Sequence, residues 1–131
     1  MLLDKVEYWL NSCDDDIRVA KSMLKAGHFL WTAFLCNLTT EKALKAVVAN
    51  VTNETPPKIH NLKRLAVMGC IFESLSEKQL AFFDSIDQYQ IEARYPEYKE
   101  RAQKSLSLDK CRRILKETEE FLCWIKQGLQ K

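Results

Sequence analysis

The feature that most constrains this chain is the segment from residue 29 to residue 51, which is almost entirely apolar. It contains no glycine or proline, and its only charged side chains are Glu41, Lys42 and Lys45. Val47 and Val48 have the branching typical of strands, but strands rarely exceed about ten residues, so the length favours a helix. A helix without a polar face must be covered on most sides. We therefore predict that this segment is the central helix of a bundle.

Glycine and proline are scarce in this chain, with three of each among 131 residues, which also favours long helices. The chain is 47% hydrophobic and 29% charged, the balance of an ordinary globular protein. Its length suits one domain, which we place over residues 1–131. No apolar run reaches the roughly 20 residues of a membrane span, and the first residues lack the basic flank of a secretory signal. These features predict a cytoplasmic protein with no membrane contact.

Two further helices are predicted near the central one. Apolar residues recur at spacings of three and four over residues 4–25, which indicates a helix with one buried face. Gly27 follows it and suits the left-handed position that closes a helix. After the loop that contains Pro56 and Pro57, Asn61 can cap a short helix.

The second half of the chain is predicted to contain two long helices. Ser76 and Gln79 have the spacing of a capping box, so a helix begins there, and Pro96 ends it. Residues 97–106 are polar and predicted to be irregular, and a last helix begins near Ser107. The predicted fold class is therefore all-α: an antiparallel, up-and-down helical bundle of four long helices plus one short helix.

The cysteines show no pattern of a metal site or a disulfide framework. Their number is odd and no two have the C-x-x-C spacing, so we predict reduced thiols at Cys13, Cys36, Cys70, Cys111 and Cys123. The sequence also lacks a glycine-rich phosphate loop, G-x-S-x-G and H-E-x-x-H. We therefore predict no cofactor, no metal-binding residue and no catalytic residue.

Positive charge is concentrated in one segment. Between Arg94 and Lys116 there are eight basic and three acidic residues, a charge of +5, so the rest of the chain carries −3 against the total of +2. Such a segment is either a solvated charged face or a face that attracts phosphate. Within it, the Arg94 fork could bind phosphate while Tyr95 and Tyr98 stack on bases. The alternative is a helix terminus that is packed by aromatic rings.

Three other side chains join the candidate site. His60 precedes a helix start, where a phosphate could bind, or it ties the loop to a helix end. Lys42 and Lys45 lie on the buried helix and need partners, since an unpaired buried charge is costly. Glu41 and Lys45 can pair with each other, or Glu41 with Arg94. The nucleotide- or phosphate-binding candidates are therefore Arg94, Tyr95, Tyr98, His60, Lys42 and Lys45.

The order of these motifs resembles the HEPN domain family. The resemblance extends from about residue 5 to residue 125 and rests on the TEKALKA segment at 40–46, His60-Asn61-Leu62 and the ARYP segment at 93–96. It implies a helical bundle that commonly dimerises and is often encoded beside a small nucleotidyltransferase as a toxin–antitoxin pair. It also implies that many relatives are metal-independent ribonucleases, whose motif is an arginine and a histidine separated by about four to six intervening residues.

This sequence departs from that ribonuclease motif. The positions after Arg94 hold Lys99, Glu100 and Arg101, and no histidine follows His60. Because an imidazole is the group that moves a proton at neutral pH, its loss predicts a non-catalytic nucleotide- or RNA-binding and interaction module. Its expected partner is a small nucleotidyltransferase in a toxin–antitoxin-like pair. The alternative is a metal-independent ribonuclease toxin with an altered site made of Arg94, Tyr98 and His60.

A homodimer is also predicted, from the breadth of the apolar face on the last helix. Phe121 and Trp124 widen that face beyond what a small bundle must cover, and such faces are typical of subunit interfaces.

Overall fold

The computed structural model describes the backbone of residues 2–130 and, within that range, every side chain except those of residues 2, 3, 96, 99 and 102. Every regular element in that range is helical, which confirms the predicted all-α bundle. A short 3₁₀ turn spans Phe72–Ser74, and the α-helices are α1 (Leu2–Lys25), α2 (Phe29–Thr52), α3 (Leu62–Met68), α4 (Glu77–Asp87), α5 (Tyr89–Glu92), α6 (Pro96–Ser105) and α7 (Leu108–Leu129).

The apolar segment forms α2, and α2 is the central helix, because it packs against every other α-helix of the described chain. The helices α1 and α2 each contain 24 residues and form an antiparallel hairpin. Gly27 lies in the turn between them with a φ of 84°, the left-handed conformation that was predicted for it. The long helix α7 then packs across both α1 and α2 and completes the bundle.

The predicted helix starts are present as hydrogen bonds. The Asn61 side chain accepts a hydrogen bond from the Arg64 backbone N–H, and Ser76 and Gln79 form both bonds of the capping box. The Ser107 hydroxyl caps α7 in the same way by accepting from the Lys110 N–H at 3.1 Å. Each of these bonds satisfies a backbone donor that the first helical turn leaves without a partner.

The prediction of an irregular segment at 97–106 was wrong, because α6 occupies Pro96–Ser105. Tyr95 is extended before the proline, as expected, with φ and ψ of −116° and 122°. Pro96 then takes the first position of a new helix, where its missing N–H costs nothing. The proline therefore ends one helix and begins the next.

The helix that begins after Ser76 is also divided, into α4 and α5, at Gln88. The buried side chain of Asn37 in α2 donates from Nδ2 to the Ile86 carbonyl oxygen at 3.1 Å, directly before the break. This break and the formation of α6 explain why the chain has more helices than the predicted four long and one short. The apolar periodicity was correct, and the break lies next to a hydrogen bond from a side chain that is 49 residues away in the sequence.

An aromatic cluster joins α4 and α7. The ring centroid of Phe121 lies 5.2 Å from that of Phe83 and 6.2 Å from that of Phe82. Phe121 is only 3% exposed, so it is covered within its own chain, while Trp124 beside it is half-buried. Phe121 therefore gives no support to the predicted homodimer, which stays a prediction. In the range that the structure describes, no helix has the length and apolar character to span a membrane.

Candidate functional site

Arg94 lies in the turn between α5 and α6, and its side chain is exposed. The guanidinium carbon is 5.6 Å from the centroid of the Phe34 ring on α2, a cation–π contact that holds the planar group against the bundle. None of the carboxylates that the structure describes forms an ion pair with Arg94. Its edge N–H groups are thus available to an external anion.

The two candidate tyrosines follow Arg94 directly. Tyr95 and Tyr98 are 50% and 41% exposed, and their ring centroids are 6.4 Å apart in an edge-to-face arrangement. The guanidinium carbon of Arg101, one helical turn further on, is 5.9 Å from the Tyr98 centroid. The start of α6 therefore carries a second pair of ring and guanidinium.

Trp31 belongs to the same region, although the sequence did not predict it as a site residue. Its ring packs edge-to-face on Phe34 with 5.9 Å between centroids, and it is 38% exposed. Gln103 of α6 lines a pocket of about 400 Å³ with Trp31, so α6 runs beside the start of α2. The sequence pattern concealed Trp31 because it lies in a segment that was predicted to be buried on most sides.

A second cluster surrounds the buried carboxylate of Glu41, whose side chain is 5% exposed. Its Oε2 lies 3.0 Å from Lys45 Nζ, which confirms the predicted pairing within α2, and its Oε1 lies 2.9 Å from His60 Nδ1. The Lys45 ammonium also lies 5.5 Å from the centroid of the Trp9 ring. Lys45 is 8% exposed and already paired, whereas His60 is 48% exposed. His60 therefore ties the proline-containing loop to α2, while about half of its side chain stays exposed.

Lys42 lies apart from both groups. Its Nζ is 2.8 Å from Asp16 Oδ2 and 2.8 Å from the Ser12 hydroxyl, so it fastens α2 to α1. The six candidates thus divide by position. Lys42 and Lys45 neutralise carboxylates inside the bundle, and His60 lies at the loop. Arg94, Tyr95 and Tyr98 are exposed between the end of α5 and the first turn of α6.

The two exposed parts of the site lie along the same face of α2. Glu41 follows Phe34 by seven residues, which is nearly two helical turns, or about 10 Å along the axis. Phe34 supports Arg94 and Glu41 holds His60. Arg94 and His60 are therefore supported from one side of the central helix.

The buried thiols are not candidates for nucleophilic chemistry. Burial raises the pKa of Cys13 and of Cys36 to about 12 and that of Cys111 to about 11. The Cys13 thiol donates to the Thr39 carbonyl oxygen at 3.4 Å. Because the thiolate is the reactive form, these three side chains are inert at neutral pH.

The comparison with known families agrees with this architecture. A family model described as the HEPN domain matches residues 6–128, nearly the whole chain. This chain belongs to the HEPN family. Its fold is similar to that of TT1696 from Thermus thermophilus, a crystal structure with a TM-score of 0.78 and 19% sequence identity. The match covers 94% of this HEPN chain and 97% of TT1696, and at that identity it shows the fold alone. No curated protein matches the chain.

Proposed function

We propose that this HEPN protein is a binding module for nucleotides or RNA that holds phosphate-bearing ligands without cleaving them. The observation that carries the proposal is the exposed Arg94 guanidinium, which rests on Phe34 without a carboxylate partner among the described residues. It stands at the start of the +5 segment, whose charge attracts polyanions over a longer range. A fixed guanidinium edge is the side-chain group best suited to bind a phosphate through two parallel hydrogen bonds.

The test is binding of fluorescently labelled RNA, followed by anisotropy. Removing a charged hydrogen bond costs about 1.5–3 kcal/mol, so Arg94→Ala is expected to weaken binding by at least about tenfold. Arg94→Lys keeps the charge but loses the fork, and we expect nearly the same loss. Arg18→Ala is the matched control, because Arg18 is also exposed but already paired with Asp15. Full binding by Arg94→Ala would reduce the turn to a structural helix boundary.

The non-catalytic part of the proposal rests on the missing histidine after Arg94. Without an imidazole at the position that the ribonuclease motif requires, no group there moves the proton of the 2′-hydroxyl at neutral pH. We expect RNA to stay intact when it is incubated with the pure protein and a metal chelator. Intact RNA bound by the wild type would support this part, and metal-independent cleavage would contradict it.

The second candidate function is the altered ribonuclease site, and the contact between His60 and Glu41 favours it. A carboxylate at Nδ1 fixes the direction of an imidazole, and a carboxylate-oriented imidazole suits a general base. If cleavage occurs, loss of activity in both Arg94→Ala and His60→Ala would favour this candidate. Retention of activity in His60→Ala would exclude His60 as the base.

Membership of the HEPN family supports the proposal of a partner protein. We propose that a small nucleotidyltransferase forms a toxin–antitoxin-like pair with this cytoplasmic protein, which itself associates as a homodimer. Co-expression with a nucleotidyltransferase encoded beside it should yield a stable complex, and growth inhibition by one component should be relieved by the other. Light scattering of the pure protein at micromolar concentration tests the homodimer.

A further inference from the structure

We infer that a groove between α1 and α7 is a docking site for an acidic amphipathic helix of another protein. The groove has a volume of about 410 Å³, and it is lined by Leu24 of α1 and by side chains of α7 between residues 112 and 123. Neither α5 nor α6 packs against α1 or α7 in the described chain, so this face is separate from the Arg94 turn. The inference therefore does not rest on the proposed function.

The shape of the groove comes from two antiparallel helices. Lys21 Nζ lies 3.3 Å from Glu119 Oε2, and Lys126 Nζ lies 2.7 Å from Asp14 Oδ1, so α7 runs in the opposite direction to α1. A groove between two such helices accepts a third helix in the way that a helical bundle is completed. The stretch of α7 along the groove, residues 112–123, is about 16 Å long, which corresponds to about three turns of a bound helix.

The groove combines an apolar floor with a cationic wall. Leu24, which is half-buried, and Leu115 line it together with the exposed Cys123. Arg112 and Lys116 line the same groove, one helical turn apart on α7. An amphipathic helix has the matching arrangement, because its apolar stripe covers the leucines while acidic residues at its edge meet the two cations.

The cations of this face are not neutralised within the chain. Across the described part of it, no carboxylate forms an ion pair with Arg112, Arg113 or Lys116. Asp109 stands four residues before Arg113, the spacing of a helical ion pair, but the two side chains do not pair. The same is true of Lys116 and Glu120. The positive charge of this face is therefore available to the carboxylates of a partner.

The groove favours an acidic peptide over a polynucleotide. Among the described residues, none of those that line it is aromatic, so bases have no ring on which to stack. The exposed Glu120 also lines the groove and repels the continuous negative charge of a phosphate backbone. A peptide can instead place single carboxylates opposite Arg112 and Lys116 and apolar side chains over the leucines.

A second copy of this chain fits the groove less well than another protein does. The chain's own run of aspartates, at residues 14–16, is already paired with Lys126, Arg18 and Lys42. Those carboxylates would have to leave their partners before they could meet a neighbouring molecule. We therefore propose a different protein as the occupant.

The experiment measures the binding of a labelled peptide to the full chain by anisotropy. The probe is a helical peptide of about 15 residues, with glutamates four residues apart beside a stripe of leucines. We expect binding that weakens as salt is added, and binding at least about tenfold weaker when every glutamate is replaced by glutamine. Oligoglutamate of equal charge lacks the apolar stripe and should also bind at least about tenfold more weakly.

Variants locate the peptide on the protein. Arg112→Glu/Lys116→Glu turns two attractions into repulsions and should weaken binding at least about tenfold. Lys58→Glu/Arg64→Glu is the matched control, because both residues are exposed and the change in net charge is the same. Arg64 lies on α3, which packs against neither α1 nor α7, so we expect the control to bind within about threefold of the wild type.

Alkylation of cysteine gives a local readout of the same site. The exposed thiols are Cys70 and Cys123, while burial raises the pKa of each of the other three and keeps them unreactive. At about ten times its Kd, the peptide should slow the alkylation of Cys123 about tenfold. Cys70, which follows α3, should react at an unchanged rate and serves as the control within the same molecule.

Several results would overturn the inference. They are no binding of the peptide by the wild type, undiminished binding by Arg112→Glu/Lys116→Glu, equal binding of oligoglutamate, or no protection of Cys123. An oligouridine that protects Cys123 as well as the peptide does would make the groove a nucleic-acid site instead. A wild-type dimer that the charge reversal dissociates, measured by light scattering, would make it an interface between copies. None of these results bears on RNA binding by Arg94→Ala, so the proposed function is tested separately.

Discussion

Glu41 carries a buried negative charge whose two oxygens are both occupied, one by Lys45 and one by His60. Removing one member of such a group leaves the other charge buried without compensation. We predict that Glu41→Ala lowers the free energy of unfolding by about 3–5 kcal/mol, because Lys45 is then isolated. Urea denaturation followed by circular dichroism measures this change.

Two control variants test whether an isolated charge on Lys45 causes this loss of stability. His60→Ala should cost only about 1 kcal/mol, because His60 is half-exposed and its loss leaves the pair of Glu41 and Lys45 intact. The double variant Glu41→Leu/Lys45→Met should be more stable than Glu41→Ala alone, since apolar residues of similar volume often replace a buried pair well. A double variant as unstable as the single one would contradict the isolated-charge explanation.

The buried thiols predict how stability depends on alkaline pH. In the folded chain Cys36 stays protonated up to about pH 12, whereas its ordinary pKa is 9.0. Above pH 9 the unfolded chain therefore binds fewer protons, and the free energy of unfolding falls as the pH rises toward 12, by up to about 1.4 kcal/mol per pH unit for each such thiol. Below pH 9 this contribution to stability is fully present.

We therefore predict that Cys36→Ala loses less stability than the wild type when the pH is raised from about 8 to about 10. Chemical denaturation at both values measures the difference, and lysines and tyrosines contribute equally in both chains. Cys123→Ala is the control, because Cys123 is exposed and should leave the slope unchanged. Identical slopes for wild type and Cys36→Ala would count against the burial argument.

At the scale of elements, we predict that one amide side chain, that of Asn37, helps to fix the division between α4 and α5. Asn37 is 2% exposed and donates to the Ile86 carbonyl oxygen. Asn37→Leu has nearly the same shape but no donor, so it leaves a buried carbonyl without this partner. We predict a loss of about 1–3 kcal/mol in the free energy of unfolding and faster amide hydrogen exchange over residues 88–95.

The control for that variant is Asn50→Leu, near the exposed end of α2, for which we expect less than about 0.5 kcal/mol. If Asn37→Leu changes stability but leaves amide hydrogen exchange over residues 88–95 unchanged, the Asn37 side chain stabilises the core without fixing the division between α4 and α5. That result would contradict its role in placing the Arg94 turn.

The helix starts could be predicted from sequence because their causes are local. A capping box joins residues only three apart, so Ser76 and Gln79 revealed α4 directly. The break at Gln88 could not be predicted, because Asn37, which donates to the nearby Ile86 carbonyl oxygen, is 49 residues away from Ile86. The helix α6 was missed because its sequence is mostly polar and because Pro96 was interpreted only as an end.

The candidate site shows the same division between local and distant causes. Arg94, Tyr95 and Tyr98 are neighbours in sequence, so the turn that unites them was predictable. Trp31 comes from another helix and could not be placed beside them. The ion pair of Lys42 is another contact that the sequence could not predict. Its partner Asp16 lies on α1, and only the packing of the hairpin brings the two side chains together.

At the scale of the whole molecule, three consecutive aspartates of α1 point in three directions. Asp14 pairs with Lys126 of α7, Asp15 with Arg18 of its own helix, and Asp16 with Lys42 of α2. A run of like charges usually marks a solvated segment. In this bundle two of the three aspartates, Asp14 and Asp16, instead connect α1 with the other two long helices.

The hairpin of α1 and α2 has a consequence for the order in which the chain folds. Its two helices are joined by a tight turn, so their contacts close short loops, whereas Asp14 and Lys126 are 112 residues apart. Contacts that close short loops form early in folding, and those that close long ones form late. The rate-limiting barrier should therefore be crossed with the hairpin formed and α7 still undocked.

Matched deletions of one methyl group test this order. Ile17→Val in α1 and Ile125→Val in α7 remove the same group from buried positions, and each should cost about 0.5–1.5 kcal/mol. Stopped-flow kinetics should show that Ile17→Val mainly slows folding, while Ile125→Val mainly speeds unfolding. The reverse assignment would mean that α7 docks before the barrier. With the predicted order, detachment of α7 is the first step of unfolding. The rate of that step therefore determines the lifetime of the native state.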